Sequence, residues 1–182
     1  VKAITGDEKP LYRLENVPLY KTEFIQPVVV LSKTKPDIKK SGKPCGYFAG
    51  VETLEYNVPV KNGRLYKFLL KANPTVKMFF KHFDVDTEEA RLKWLESESI
   101  PNGFEIIESS CIDDGYIINN EKKTKVLSVI YEGSLKITDE KKFQKALFNG
   151  IGRGISSGLG LLSVESFGCK NRNIADEMKN SV

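Results

Sequence analysis

Five glycines occur among the eleven residues from Gly150 to Gly160, and this run constrains the fold more than any other feature of the sequence. Glycines at this density allow positive φ angles and close backbone contacts that side chains would forbid. Two interpretations stay open: a purely structural loop, or a nest of backbone amides that binds an anion together with a guanidinium group. The spacing matches neither a P-loop nor a dinucleotide-binding turn. The predicted phosphate-contacting residues are Gly150, Gly152, Arg153, Gly154 and Gly158.

The segments around this run predict helices that alternate with strands. The last helix is predicted just before the run, where Phe143, Ala146 and Leu147 have i, i+3, i+4 spacing; Thr138 or Asp139 would cap it and Gly150 would end it. An earlier helix is expected to start at Asp86 with a capping box. Strands are predicted at 11–15, 27–32, within 47–60, and at 64–72, 104–108, 115–118, 125–137 and 159–164. The sequence therefore predicts an α+β fold whose helices cover one face of an antiparallel sheet.

Positive charge is concentrated in one part of the chain. From Lys61 to Lys81 there are six Lys or Arg residues and no Asp or Glu, although the net charge of the whole chain is only +4. Such segregation produces a local positive field that attracts phosphate groups. A solvated strand face followed by a lysine-rich loop would have the same pattern, and that alternative stays open. The predicted nucleic-acid contacts in this segment are Arg64, Lys67, Lys71, Lys77 and Lys81.

The pattern inside this basic segment predicts a turn and a strand. Asn62 and Gly63 are typical of a tight turn between two strands. Because side chains alternate along a strand, Lys67 and Lys71 are expected on one face, where both can contact one ligand. Phe68 and Leu70 are then expected to point into the core.

Composition excludes several classes of protein. Apolar residues make up 40 % of the 182 residues, which excludes a disordered or fibrous chain. No stretch reaches the roughly 18 apolar residues of a membrane-spanning helix. Three widely spaced cysteines predict reduced thiols in a cytoplasmic protein. With His82 as the single histidine, multi-histidine metal sites are excluded, and we predict no metal and no other cofactor.

Four short motifs follow one another along the chain in a recognisable order. They are LYRLE at 11–15, FLLKANPT at 68–75, YEGSL at 131–135 with Asp139 after it, and GIGRGISSGLGLLS at 150–163. Together they resemble the motifs of the CasE-type CRISPR RNA-processing endoribonucleases of type I-E systems. The resemblance extends from residue 11 to about 167, and its motifs are specific as a set although each is weak alone.

The resemblance implies a fold and an activity. The fold would be two ferredoxin-like (RRM-like) domains with antiparallel sheets: an incomplete first domain at 1–84, a second at 85–167, and a tail at 168–182. The activity would be metal-independent cleavage of precursor CRISPR RNA at the base of the repeat hairpin. A ribose 2′-hydroxyl would attack the adjacent phosphate, leaving a 2′,3′-cyclic phosphate and a 5′-hydroxyl. The implied partners are the repeat hairpin RNA and other subunits of the type I-E surveillance complex.

The sequence departs from the family pattern at two places. The family's catalytic histidine lies on a helix before the LYRLE strand, and residues 1–10 contain no histidine. We therefore expect roughly 30 to 40 residues to be missing before Val1, and we leave the catalytic residue unassigned. His82 is not assigned to catalysis, because a partly packed histidine in the basic segment is the simpler interpretation. Ile155 occupies the place where the family commonly has a lysine.

Three functions stay open at this point. The first is a CasE-like endoribonuclease, and the second is a hairpin-RNA-binding subunit that does not cleave. The third is a ferredoxin-like domain that binds a small anion or a protein partner. Cleavage of a labelled repeat hairpin in EDTA separates the first function from the second. Salt dependence separates both of these from the third, because binding to RNA phosphates weakens steeply as salt is added.

Overall fold

The computed structural model describes residues 5–6, 10–15, 26–37, 39, 50–119 and 124–167. The predicted tail at 168–182 lies outside these residues. The strands are β1 (Leu11–Leu14), β2 (Val28–Leu31), β3 (Leu65–Ala72), β4 (Thr75–Met78), β5 (Lys81–Asp84), β6 (Phe104–Asn119), β7 (Thr124–Ile137) and β8 (Leu162–Ser166), and the helices are α1 (Glu88–Ser99) and α2 (Glu140–Asn149). Within the described part of the chain, no helix has the length and apolar character needed to cross a membrane.

The main sheet has four strands in the order β6-β7-β3-β8, and every neighbouring pair is antiparallel. Along the chain, the strands of this sheet and the two helices follow the order β3, α1, β6, β7, α2, β8. This is the βαββαβ arrangement of a ferredoxin-like fold. Two smaller sheets accompany it: β1 pairs with β2, and β4 pairs with β5 in a hairpin that leaves the main sheet between β3 and α1. The predicted α+β, ferredoxin-like class is confirmed.

The predicted division of the chain at residue 84 does not follow this sheet. β3 lies before residue 84, yet it hydrogen-bonds to β7 on one side and β8 on the other. It is the first strand of the βαββαβ unit, so that unit begins at Leu65 and not at residue 85.

The core lies between the main sheet and the two helices. Phe68 and Leu70 of β3 are buried on the helix-covered face, as alternation predicted. Trp94 of α1 stacks on Tyr131 of β7 with ring centroids 5.8 Å apart. The buried residues of α2 are Phe143, Ala146 and Leu147, the three that the helical spacing identified.

The helix ends agree with the sequence for α2 and differ by one residue for α1. Asp139 caps α2 by accepting a hydrogen bond from the Lys142 N–H at 3.0 Å. Gly150 ends that helix at φ 80°, with its N–H donating to the Ala146 carbonyl at 2.9 Å. The cap of α1 is Thr87, one residue after the predicted Asp86, and the hydroxyl accepts from the Ala90 N–H at 3.3 Å. The residue three positions after Thr87 is Ala90, whose side chain cannot accept a hydrogen bond from the cap, so the predicted capping box does not form.

Four predicted strands differ from the structure by more than one residue. The strands expected at 104–108 and 115–118 are one strand, β6, with register irregularities at Ile106/Glu108 and Asp113/Gly115. Residues 50–60 contain no strand. The last strand begins at Leu162 because the glycine run continues through residue 160.

Candidate nucleic-acid interface

The glycine-rich loop, residues 150–160, is packed against other parts of the protein. A Cβ added to Gly150 would lie 2.8 Å from Leu11 Cδ2, and one added to Gly158 would lie 2.9 Å from Tyr12 Cε2. Gly152 lies against the indole of Trp94 in the same way, at 3.1 Å. These glycines are therefore explained by close approach to β1 and α1. Gly158 is buried and its N–H donates to the Ile155 carbonyl at 3.1 Å, so the structure gives no support to the predicted phosphate contact at this residue.

Several amides of the loop are hydrogen-bonded within the protein. The Ile151 N–H donates to the Gly160 carbonyl at 2.9 Å, and the Gly160 N–H donates to the Lys71 carbonyl at 2.7 Å. The Ser157 N–H donates to the Gly154 carbonyl at 2.8 Å. These bonds fasten the loop to itself and to β3. The anion nest therefore stays a prediction for the amides of Gly152 and Gly154, since the Arg153 backbone pairs with Asn73.

Arg153 lies where the loop meets the end of β3. Its backbone forms an isolated antiparallel bridge with Asn73, and its side chain is exposed. The Asn73 side-chain amide donates to the Leu127 carbonyl at 3.0 Å and to Asp84 Oδ1 at 3.2 Å. Asn73 thus joins the loop, β7 and the base of the β4–β5 hairpin, which fixes the position of Arg153 beside that hairpin.

The β4–β5 hairpin carries cations toward Arg153. Lys77 and His82 are directly opposed across the two strands, so their side chains lie on the same face. The pKa of His82 is lowered by partial desolvation and then by the positive charges of Arg153 and Lys77. Arg153 and Lys77 thus both lie within electrostatic reach of His82, and these three residues are hereafter called the basic cluster. Lys81 is exposed one residue pair nearer the tip. The structure brings the glycine-rich loop and the basic hairpin together at this cluster.

Lys71 does not belong to this exposed positive surface. Its Nζ forms an ion pair with Asp114 at 2.7 Å, with the two side chains 9 % and 10 % exposed. It also donates to the Leu14 carbonyl at 3.4 Å. The sequence placed Lys71 on the correct face of β3, but that face is covered here. The structure therefore gives no support to the prediction that Lys71 contacts a ligand, and the proposed interface does not include it.

Arg64 and Lys67 lie at the opposite end of β3 from the basic cluster. Both are exposed. Lys67 precedes Asn73 by six residues, a distance of about 20 Å along a strand. Its Nζ is 5.9 Å from the centre of the Phe167 ring, and the Arg64 guanidinium lies over Tyr66 at 5.6 Å. The charged segment thus divides into two separate surfaces.

The LYRLE strand, β1, is attached to the loop and to the main sheet. The Tyr12 hydroxyl donates to the Ser156 carbonyl at 2.8 Å, and burial raises its pKa. Arg13 donates to Ser163 Oγ at 2.9 Å and forms an ion pair with Glu15 at 2.7 Å. The Arg13 side chain is buried, so this motif holds β1 against the loop instead of presenting a cation to solvent.

The sequence did not identify the role of Asn73 or the residues at the tip of the hairpin. Asn73 is part of the FLLKANPT motif, but only its spatial neighbours reveal that it joins three elements. Phe79 and Phe80 form the tip with φ values of 46° and 72°. The sequence predicts no turn at this place, because two phenylalanines are not turn residues.

Comparison with known proteins gives consistent matches over most of the chain. The family model described as CRISPR associated protein matches residues 2–166. The CRISPR-associated endoribonuclease Cse3 of Thermus thermophilus is 28 % identical over 175 residues, covering 87 % of this chain and 81 % of the relative.

Solved structures show the same likeness. The structure of Thermus thermophilus Cse3 bound to an RNA that represents a pre-cleavage complex superposes with a TM-score of 0.76 at 27 % identity, covering 86 % of this chain and 78 % of that one. The fold is also shared with the CRISPR-associated protein Cas6e of Escherichia coli, with a TM-score of 0.69 at 20 % identity over 89 % of this chain and 86 % of that one.

Proposed function

This chain belongs to the CRISPR-associated protein family, and from that premise we propose that it binds the hairpin of a CRISPR repeat and cleaves precursor CRISPR RNA at the base of the stem. The observation that carries the proposal is the convergence of the glycine-rich loop and the β4–β5 hairpin on the basic cluster of Lys77, His82 and Arg153. The relative Cse3, which is named an endoribonuclease and has been solved with RNA, supports the same activity.

The cations of the basic cluster suit the chemistry of a phosphate. Duplex RNA presents phosphates and 2′-hydroxyl groups more readily than base edges, so binding would depend on charge and shape. The exposed Arg153 guanidinium has a planar set of donors that fits two phosphate oxygens at once. In the proposed reaction, a ribose 2′-oxygen attacks the adjacent phosphorus and the 5′-oxygen leaves. The fixed cations would stabilise the negative charge that develops on the phosphate oxygens.

His82 has a different part in this proposal. Its lowered pKa keeps the imidazole neutral near pH 7, and the two charges that lower that pKa, Arg153 and Lys77, are cations. We assign it to RNA binding within the basic cluster and leave the general base and general acid of the reaction unassigned.

The alternative is a subunit that binds the repeat hairpin without cutting it. A specific observation favours this candidate. Ile155, where the related enzymes commonly have a lysine, packs its side chain toward Gly150 and Gly160. This chain therefore places an apolar side chain in the loop where a further cation would otherwise assist the reaction.

One experiment separates the two candidates. The protein, as its gene encodes it, is incubated with an end-labelled CRISPR repeat hairpin from the same genome, in EDTA. Cleavage that leaves a 2′,3′-cyclic phosphate supports the endoribonuclease. Tight binding with intact RNA supports the subunit. Affinity that does not fall with rising salt contradicts both, because phosphate contacts release counterions.

A further inference from the structure

The turn of the β4–β5 hairpin consists of two phenylalanines in the left-handed region. Phe79 has φ 46° and Phe80 has φ 72°. A two-residue hairpin turn with both φ values positive normally uses Asn-Gly, because bulky side chains rarely adopt this conformation. The two rings are also the most exposed large apolar side chains that the structure describes, at 92 % and 96 %. Neither turn geometry nor packing within the described chain explains them, so they point to a function outside the fold.

The surroundings of these rings are cationic. Lys77, Lys81 and His82 lie on the two strands that lead to the turn, and from residue 77 to residue 83 the sequence has no Asp or Glu. The first carboxylate after the turn, Asp84, is at the base of the hairpin and accepts a hydrogen bond from Asn73. The rings therefore lie about 7 Å beyond the opposed pair Lys77 and His82, at the strand rise of 3.3 Å per residue.

We propose that Phe79 and Phe80 stack on unpaired bases that adjoin the RNA stem, while Lys77, Lys81 and Arg153 hold the phosphates of the same strand. This inference rests on the proposed function and adds to it a contact with single-stranded nucleotides. The hairpin tip cannot reach the faces of the bases inside an A-form duplex, because those bases are stacked on one another. Unstacked bases present planar faces that aromatic side chains can cover. A protein partner would need an apolar surface for the two rings and acidic groups for the neighbouring cations. Every nucleotide of an RNA strand has both a planar base and a negatively charged phosphate.

The test removes the rings without damaging the turn. In F79N/F80G, the double variant, the tip becomes Asn-Gly, which prefers this turn, so the hairpin and its cations are retained. The probes are a repeat hairpin with unpaired nucleotides next to the stem and the same hairpin trimmed to a blunt stem. We expect the double variant to bind the first RNA about fivefold to a hundredfold more weakly and the blunt RNA with unchanged affinity. The salt dependence should not change, because no phosphate contact is lost.

Two controls complete the experiment. In F79W/F80W the turn keeps aromatic rings, and this variant should retain the preference for unpaired nucleotides. In the wild-type complex, 2-aminopurine at the first unpaired position should change its fluorescence on binding, and it should not do so with F79N/F80G.

The outcomes distinguish this inference from the proposed function. If the wild-type chain shows no salt-dependent binding to either hairpin, the proposed function fails, and the stacking fails with it. If the wild type binds and F79N/F80G binds both RNAs equally well, only the stacking is overturned, and the rings then belong to a protein contact. An equal loss for the two RNAs also overturns the stacking, because it would show that the variant disturbs the cations.

Discussion

Lys71 and Asp114 form an ion pair at 2.7 Å, and both side chains are largely buried. Asp114 also accepts a hydrogen bond from the Ser128 hydroxyl at 2.8 Å. We expect Lys71→Met to lower the free energy of unfolding by about 3–5 kcal/mol, because it leaves a buried carboxylate without its counter-charge. In the double variant K71M/D114N, which removes both charges and keeps an acceptor for Ser128, much of that loss should be recovered. Urea unfolding measures both variants, and equal losses would contradict the ion pair.

Arg153 belongs to the glycine-rich loop and pairs with Asn73 at the base of the β4–β5 hairpin, and its side chain is exposed. We expect Arg153→Ala to weaken binding of repeat hairpin RNA and to reduce the slope of log affinity against log salt by about 1, since one phosphate contact is lost. Lys136→Ala is the matched control, because Lys136 is exposed and pairs with Leu65, at the far end of β3. Salt titrations of both variants test this. An equal effect of the control would remove Arg153 from the interface.

At the scale of elements, the contact of β1 with the glycine-rich loop depends on the lack of a side chain at Gly158. Its φ is 83°, and an added Cβ would lie 2.9 Å from the Tyr12 ring. We expect Gly158→Ala to lower the free energy of unfolding by about 2–4 kcal/mol, from backbone strain and overpacking together. Gly63→Ala separates the two causes, because Gly63 has φ 77° and no atom within 4 Å of the added Cβ. This control should lose only about 1–2 kcal/mol, and equal losses in urea unfolding would contradict the packing argument.

The β4–β5 hairpin should make RNA binding depend on pH. The pKa of His82 is lowered in the free protein by partial desolvation and by Arg153 and Lys77. A bound phosphate would favour the protonated imidazole and raise this pKa. Binding therefore takes up a proton at pH values between the lowered pKa of the free protein and the higher pKa of the complex. We therefore expect affinity for the repeat hairpin to rise as the pH falls from 7 to 5.5 (an assay window set around the usual histidine pKa of about 6.5). His82→Asn should flatten this rise, and an unchanged rise in the variant would exclude His82 as its cause.

For the whole molecule, the sequence predicted best what depends on near neighbours. The cap at Asp139, the end of α2 at Gly150 and its buried face follow from residues a few positions apart, and all are confirmed. The pairing of β3 with β7 and β8 joins residues that are far apart in the chain. No local sequence pattern therefore reveals that β3 belongs to the βαββαβ unit. For the same reason, the charge of Lys71 was visible in the sequence and its partner Asp114 was not. The meeting of the glycine-rich loop with the end of β3 also joins residues far apart in the chain, so no local pattern predicts it.

The revised boundary leads to a test on fragments. Because β3 lies between β7 and β8, a fragment of residues 85–167 lacks a central strand. In that fragment β8 has no neighbouring strand of the sheet to pair with. A fragment of residues 50–167 keeps β3 and also Pro59, whose carbonyl accepts a hydrogen bond from the Tyr66 hydroxyl at 2.6 Å. We expect the longer fragment to unfold cooperatively in urea with an ordered far-ultraviolet circular dichroism spectrum, and the shorter one to show no cooperative transition. Cooperative unfolding of the shorter fragment would restore the boundary near residue 84 and contradict the βαββαβ unit that begins at Leu65.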